Sequence, residues 1–187
     1  MIFRAPILHF GALYYGGSTM KILPDFYFRR ITDIPVSFLV QRDIRALILD
    51  IDNTLAFDDD PELPGEVAQW LHAVKGAGMT AVLVSNNTVQ RAGGFAKKCE
   101  LPYIAKAGKP TGRSADEAYR LLGAQPTQTA SIGDQLFTDV LFGRRAGCRM
   151  TIWVERMGED IPKSIRIKRR LETPFRWLMR RRGYTQP

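Results

Sequence analysis

Ala46-Leu47-Ile48-Leu49-Asp50-Ile51-Asp52-Asn53-Thr54-Leu55 runs from four apolar residues into two aspartates one position apart. An unbroken apolar run of this length marks a strand covered on both faces. In extended chain, residues two apart point to the same side, so Asp50 and Asp52 share one side where the strand ends. Two carboxylates there repel each other. A divalent cation relieves that repulsion and also neutralises an incoming phosphate. Alone, such a pair serves equally as a turn or a helix cap, and Asn53 and Thr54 are common turn residues.

The sequence beyond this stretch repeats the alternation. Leu63-Pro64-Gly65 opens a helix with Val67, Trp70, Leu71 and Val74 on one face, and Gly76 and Gly78 close it. Residues 80–84 read as a second buried strand and 89–99 as the helix after it. A short strand is expected over 102–105 and a helix over 114–122, with Ala118, Leu121 and Leu122 inward. A strand over 129–132, a helix over 137–146 and a last strand over 150–154 follow. This alternation predicts an α/β fold, a doubly wound parallel sheet. Residues 20–44 carry helical patterning at Val36, Leu39 and Val40, and are expected to pack on the sheet edge.

In such sheets the ligand sits beyond the carboxyl ends of the strands. Those ends read Asp50-Ile51-Asp52, Ser85-Asn86-Asn87, Ala107-Gly108-Lys109 and Gly133-Asp134. Ser85 and Asn86 would offer a hydroxyl and an amide to a phosphoryl oxygen, and Lys109 a point positive charge. Asp134 would give a metal another hard oxygen, and Asp139, one helical turn on, would orient that ligand or a bound water. Each residue alone has a commonplace explanation as a cap, a turn or a surface lysine. Their fall at four successive strand ends, in one order, argues for a phosphate-and-metal site.

The 187 residues carry 27 Lys and Arg against 19 Asp and Glu, a net charge of +8. Nine of the basic residues and one acid, Glu172, lie between Lys163 and Arg182, so the rest of the chain is balanced at eighteen of each. Confinement of the excess to one segment argues against a nucleic-acid enzyme, whose positive charge spreads around its cleft. No apolar run approaches the roughly 20 residues that span a bilayer. Cys99 and Cys148 are expected as reduced thiols in a cytoplasmic protein, and His9 and His72 are too isolated to form a site. The expected organisation is an extension or an early-called start over 1–19, one domain over 20–162 and a basic tail over 163–187. Thr173-Pro174 reads as an N-cap with proline at the first helical position, opening a basic amphipathic helix that ends at Gly183. An anionic membrane surface, RNA, or simple packing on the domain would each suit that helix. Asp58-Asp59-Asp60 reads as a solvated rim.

Asp50-Ile51-Asp52-Asn53-Thr54-Leu55 resembles the D-x-D-x-T signature of haloacid-dehalogenase-type phosphatases. Ser85, Lys109 and Gly133-Asp134-Gln135-Leu136-Phe137-Thr138-Asp139 resemble that superfamily's second, third and fourth motifs. The resemblance spans roughly residues 45–154. More narrowly, Leu23-Pro24, Val84-Ser85-Asn86-Asn87 and Ala107-Gly108-Lys109-Pro110 resemble the YqeG branch of the subclass IIIA phosphatases, to which mitochondrial phosphatidylglycerophosphate phosphatases are similar. The resemblance implies Asp50 as nucleophile, forming an aspartyl-phosphate, and Asp52 as general acid and then base. It implies Mg²⁺ held by Asp50, the backbone carbonyl of Asp52 and Asp134. Ser85 and Lys109 would hold the transferring phosphoryl group. A phosphorylated lipid headgroup is the implied substrate; taken with the open site and the confined basic charge, it leads to the expectation that residues 163–182 bring the protein to an anionic membrane surface.

The intervals between Asp50 and Ser85 and between Ser85 and Lys109 are used up by the expected strands and helices. No large cap domain fits, and the open site suits a substrate whose bulk stays outside. A receiver domain is disfavoured because its acid pair lies a strand before its phosphorylated aspartate. A P-loop fails because Tyr103 stands at the first glycine position and Pro110 follows the lysine. A non-catalytic scaffold that contacts RNA or membrane through its tail, or a phosphatase for a soluble or macromolecular ester, remain the alternatives.

Overall fold

The structure is a computed structural model that describes residues 12–15, 18–58, 60–158 and 163–183. In chain order the elements are β1 (Ala12–Tyr15), β2 (Ser18–Lys21), β3 (Phe26–Phe28), α1 (Val36–Val40), β4 (Ala46–Leu49), α2 (Gly65–Gly76) and β5 (Thr80–Val84). Then come α3 (Val89–Cys99), β6 (Tyr103–Ile104), α4 (Ala115–Leu122), β7 (Thr129–Gly133), α5 (Leu141–Arg145), β8 (Met150–Val154) and α6 (Lys163–Arg182). β1 and β2 pair antiparallel as a separate hairpin. Residues 1–11, 16 and 17 of the expected extension lie outside the described residues.

The other six strands form one sheet in the order β3-β8-β7-β4-β5-β6, every neighbouring pair parallel. The doubly wound expectation is borne out, and the alternation within β4 shows why. Leu47 and Leu49 join α2 and α3 residues such as Val67, Trp70 and Phe95 in one core. Ala46 and Ile48 face a second core with Ala118 and Leu122 of α4 and Phe142 of α5. A strand apolar at every position therefore serves two layers of helix. From β4 the chain winds to β5 on one side, and β7 lies on the other. The strand order thus reverses between β4 and β7, where a crevice opens at the carboxyl ends.

Three readings need correction. The segment 20–44 does reach the sheet edge, but through the strand β3, pairing Phe26, Tyr27 and Phe28 with β8; its helical part is a 3-10 turn at Ile31–Asp33 and the short α1 at Val36–Val40. The helix expected over 137–146 begins with a wider turn, Leu136–Val140, that bonds across five residues before α5 starts. The last helix does not start at Pro174. It runs unbroken from Lys163, with Pro174 inside, and the Thr173 hydroxyl donates to the Arg169 carbonyl (3.2 Å). Met179 and Phe175 of α6 pack with Tyr27, Trp153, Leu136 and Val140 at the β3–β8 edge. Among the described residues no separate cap interrupts the sheet: α2 alone links β4 to β5, and α3 alone links β5 to β6.

Candidate active site

Asp50 follows β4, and its N–H donates to the Ile132 carbonyl of β7 (3.0 Å), which sets it beside Gly133 and Asp134. Beyond it the chain turns sharply. Asn53 takes a left-handed conformation (φ 61°), and the N–H groups of Thr54, Leu55 and Ala56 all donate to the Ile51 carbonyl. The Thr54 hydroxyl then reaches back to Asp50 Oδ2 (3.4 Å). Asn53 fastens this turn to the loop after β8 by accepting from the N–H groups of Met157 and Gly158.

Lys109 is buried between two carboxylates, its Nζ 2.6 Å from Asp50 Oδ1 and 2.7 Å from Asp139 Oδ1. The Asn86 side chain holds it there, accepting from the Lys109 N–H (2.7 Å) and donating to its carbonyl (2.9 Å). That side-chain amide is therefore committed to positioning Lys109, and any hold on a phosphate falls to the Asn86 backbone. Ser85 is buried, and its hydroxyl accepts from the Asn87 N–H (3.0 Å).

Asp139 comes back to the strand end through the wide turn after β7, where its Oδ2 accepts from the Gln135 N–H (3.0 Å). Gly133 makes this approach possible: a Cβ at that position would overlap the Asp139 side chain. Wide turns of this kind recur at functional sites. Asp50, Asp134 and Asp139 offer carboxylate oxygens within 4.8 Å of one another, all buried. Asp139 spends both oxygens on Lys109 and Gln135, which fits a supporting role. Asp134 is fully buried, and its Oδ1 has no hydrogen-bond partner among the described residues.

The charges in the cluster do not balance. Burial raises the Asp50 carboxyl to about 7, repulsion from Asp139 adds to this, and Lys109 only partly opposes it. Burial also drives Asp134 well above the ordinary carboxylate range, against the pull of Arg169. For Lys109, burial would depress the ammonium, but Asp139 and Asp50 outweigh it and hold it charged. The cluster's own cations thus leave its carboxylates under-neutralised. A hard divalent cation fits here, on Asp134 Oδ1 and the Asp50 carboxylate.

Asp52 stands apart from the trio. Its Oδ1 accepts from Arg91 Nε (3.0 Å) and Nη2 (2.7 Å), and its Oδ2 from Asn87 Nδ2 (3.4 Å). Arg91 also donates to the carbonyls of Asp60 and Phe57, pinning the acidic loop against α3. Neither Arg91 nor Arg169 was expected at the site. Arg91 did leave a trace, since it is a cation in the first turn of a helix, where the dipole disfavours it. Arg169 reaches Asp134 from α6: Nη2 pairs with Oδ2, and Nη1 donates to the main-chain carbonyl (2.6 Å). Its trace was Glu172, the lone acid among nine cations, which is buried and binds Arg169 (3.3 Å), Arg176 (3.6 Å) and the Phe137 N–H (3.2 Å).

The family model described as mitochondrial PGP phosphatase matches residues 17–157. The chain belongs to that family. Within it the chain is similar to the probable phosphatase YqeG of Bacillus subtilis (strain 168), 33% identical over 164 residues, covering 88% of this chain and 95% of that one. It is also similar to the chloroplastic phosphatidylglycerophosphate phosphatase 1 of Chlamydomonas reinhardtii, 28% identical over 173 residues, covering 84% of this chain and 62% of the algal protein. A solved structure, the cobalt-bound deoxy-D-mannose-octulosonate 8-phosphate phosphatase of Haemophilus influenzae, aligns with a TM-score of 0.49 and 15% identity over 68% of this chain and 75% of that one. Like its family, the protein is a phosphatase, a phosphoric monoester hydrolase.

Proposed function

We propose that this phosphatase works through attack of the Asp50 carboxylate on phosphorus, with Mg²⁺ at the buried acidic cluster. One observation carries the reading: a lysine buried between Asp50 and Asp139 beside a fully buried aspartate with one orphaned oxygen. Asp50, Asp134 and the Asp52 backbone carbonyl would hold the cation, which lends charge neutralisation to the phosphate when bound. Lys109, Ser85 and the Asn86 backbone grip the transferring phosphoryl group and meet its charge with fixed donors. Asp50 forms a bond to phosphorus as the ester oxygen leaves, and Asp52 gives that oxygen its proton. Asp52 then takes a proton from water, which attacks the aspartyl-phosphate and returns Asp50 free. Arg91 and Asn87 keep the Asp52 carboxylate in place for both transfers.

The substrate we infer is a lipid headgroup phosphate of the phosphatidylglycerophosphate kind. Its support is the family, the algal relative's activity as named, and a site without a cap among the described residues. The outer face of α6 adds a further reason. Ile167, Leu171 and Trp177 are exposed beside the equally exposed Arg170, Arg181 and Arg182, an apolar row with cationic flanks suited to an anionic bilayer. Arg169, Arg176 and Arg180 are spent on Asp134, Glu172 and Glu155, so the charges left for lipid are those facing outward. Each contributes about 1 kcal/mol at such a surface.

Phosphate release is the test, measured from phosphatidylglycerophosphate vesicles and from a soluble ester, with and without chelator. Both activities should need Mg²⁺ and disappear in Asp50→Asn, while the folded structure persists. Hydrolysis by a well-folded Asp50→Asn protein would defeat the mechanism. Co-sedimentation equal for anionic and neutral vesicles, at low and high salt alike, would remove the membrane part alone.

A further inference from the structure

We infer that Arg169 of α6 is a positioning residue for the metal centre, holding Asp134 so that one carboxylate oxygen is kept for the cation. This rests on the proposed reading of the acidic cluster and goes beyond it, because the residue lies outside every motif that carries the family resemblance.

Asp134 is held at both its main chain and its side chain. Its main-chain carbonyl accepts from Trp153 Nε1 (2.7 Å), Arg169 Nη1 (2.6 Å) and Arg176 Nη2 (3.4 Å). Its Oδ2 pairs with Arg169 Nη2, and its Oδ1 has no partner among the described residues although the residue is fully buried. One guanidinium therefore bridges the main chain and the side chain of a single residue. That fork removes the rotation by which the carboxylate could turn its free oxygen elsewhere, and a lysine, with one nitrogen, cannot make both contacts in the same plane. An unsatisfied buried carboxylate oxygen calls for a ligand. Its neighbours within the cluster are the carboxylates of Asp50 and Asp139, which leaves a cation as the natural partner.

Arg169 is itself held. Glu172, one turn along α6, binds it through Oε2 and accepts the Phe137 N–H through Oε1, so the arginine is tied to the same turn that carries Asp139. Arg176, the next inward residue, lies over the Trp153 ring (4.3 Å) whose Nε1 donates to Asp134. Arg169, Glu172 and Arg176 of α6 thus converge on Asp134 and the turn that follows it. Partners of metal ligands behave in this way: they fix the ligand's orientation, and their loss typically weakens metal affinity about 10–100-fold.

The test is direct Mn²⁺ binding to metal-free protein, followed by electron paramagnetic resonance of the free ion and by calorimetry. Arg169→Gln should weaken Mn²⁺ at least about tenfold and raise the Mg²⁺ concentration for half-maximal activity by a similar factor, with turnover recovered at saturating Mg²⁺. Arg169→Lys should restore part of the affinity. Arg180→Gln, which loosens α6 at Glu155 without touching Asp134, should leave it unchanged. Helical content and melting temperature, measured on all three, separate positioning from loss of α6. Unchanged affinity in Arg169→Gln would overturn the inference, and tighter binding would overturn it too, by making the arginine a competitor of the cation. If the unaltered protein binds no Mn²⁺, the metal reading itself fails and this inference falls with it.

Discussion

Two arginine–carboxylate pairs flank the reacting centre, and they differ in everything but chemistry. Arg91 reaches Asp52 from α3, inside the sheet's own winding, and the Asp52 side chain stays 18% exposed with both oxygens engaged. Arg169 reaches Asp134 from a helix that follows the last strand, and the Asp134 side chain is fully buried with one oxygen unengaged. Access to water suits the first carboxylate to exchanging protons. Enclosure suits the second to holding an ion, because a dry, fixed charge binds a cation tightly and exchanges protons slowly. On the proposed mechanism, similar pairs would thus be divided between two tasks by burial.

If that division is right, removing each carboxylate should produce a different kind of defect. The largest is expected for Asp52→Asn, whose turnover should fall about 10²–10⁴-fold at every Mg²⁺ concentration. With a good leaving group the loss should move to the second step, and acid-quench labelling should then trap phosphate on the protein. A defect blind to leaving group would take the proton-transfer role from Asp52. Asp134→Asn should instead weaken metal binding, raising the half-saturating Mg²⁺ by about 10–100-fold and recovering activity when metal is added. An Asp134 variant that no amount of metal rescues would collapse the distinction between the two pairs.

A smaller effect is expected of Arg91→Gln, about tenfold in turnover with unchanged metal affinity, since Asn87 still holds the other oxygen of Asp52. Titration of Mn²⁺ in parallel with turnover checks both halves of that statement. The smallest effect sharpens the comparison from the side of α6. Burial would raise Glu155, but hydrogen bonds from Arg180 and Tyr27 and the charge of Arg176 win, lowering it from 4.5 to about 2. A carboxyl with a depressed pKa stabilises the fold above its ordinary value and loses that contribution as pH falls through the folded one. Glu155→Gln should therefore cost about 1–2 kcal/mol at neutral pH, discounted for the half-exposed Arg180, and cost progressively less between pH 4.5 and 2. Denaturant unfolding of both proteins across that range measures the gap, and a pH-independent gap would show that docking of α6 does not depend on this charge.

The division between the pairs also explains what could be read from the chain beforehand. Buried strands announce themselves, so β4, β5 and β8 were legible from Ala46, Thr80 and Met150 onward, and α3 from Val89 to Cys99. The polar strand ends, Asp50 after β4, Ser85 after β5, Lys109 beyond β6 and Asp134 after β7, follow from that layout. β3 was not legible, because Phe26-Tyr27-Phe28 is three residues long and its partner lies more than a hundred positions away. The wide turn at Leu136–Val140 escaped because it disturbs the helical period by a single residue. Arg91 showed only as a cation misplaced at a helix start. Arg169 was hidden among like charges, since composition counts a tail's arginines together, whereas the fold turns some inward and others out.

The placement of α6 has a consequence for the order of events during synthesis. Asp50, Ser85, Lys109 and Asp134 leave the ribosome in that sequence, and β8 completes the sheet soon after. Until residues 163–182 have also emerged, Asp134 lacks Arg169, the Phe137 turn lacks Glu172, and the apolar patch of Tyr27, Leu136 and Trp153 lacks Phe175 and Met179. A nascent chain that has finished this sheet is therefore still without the contacts that α6 brings to Asp134 and its turn, so the site is assembled after the strands that frame it.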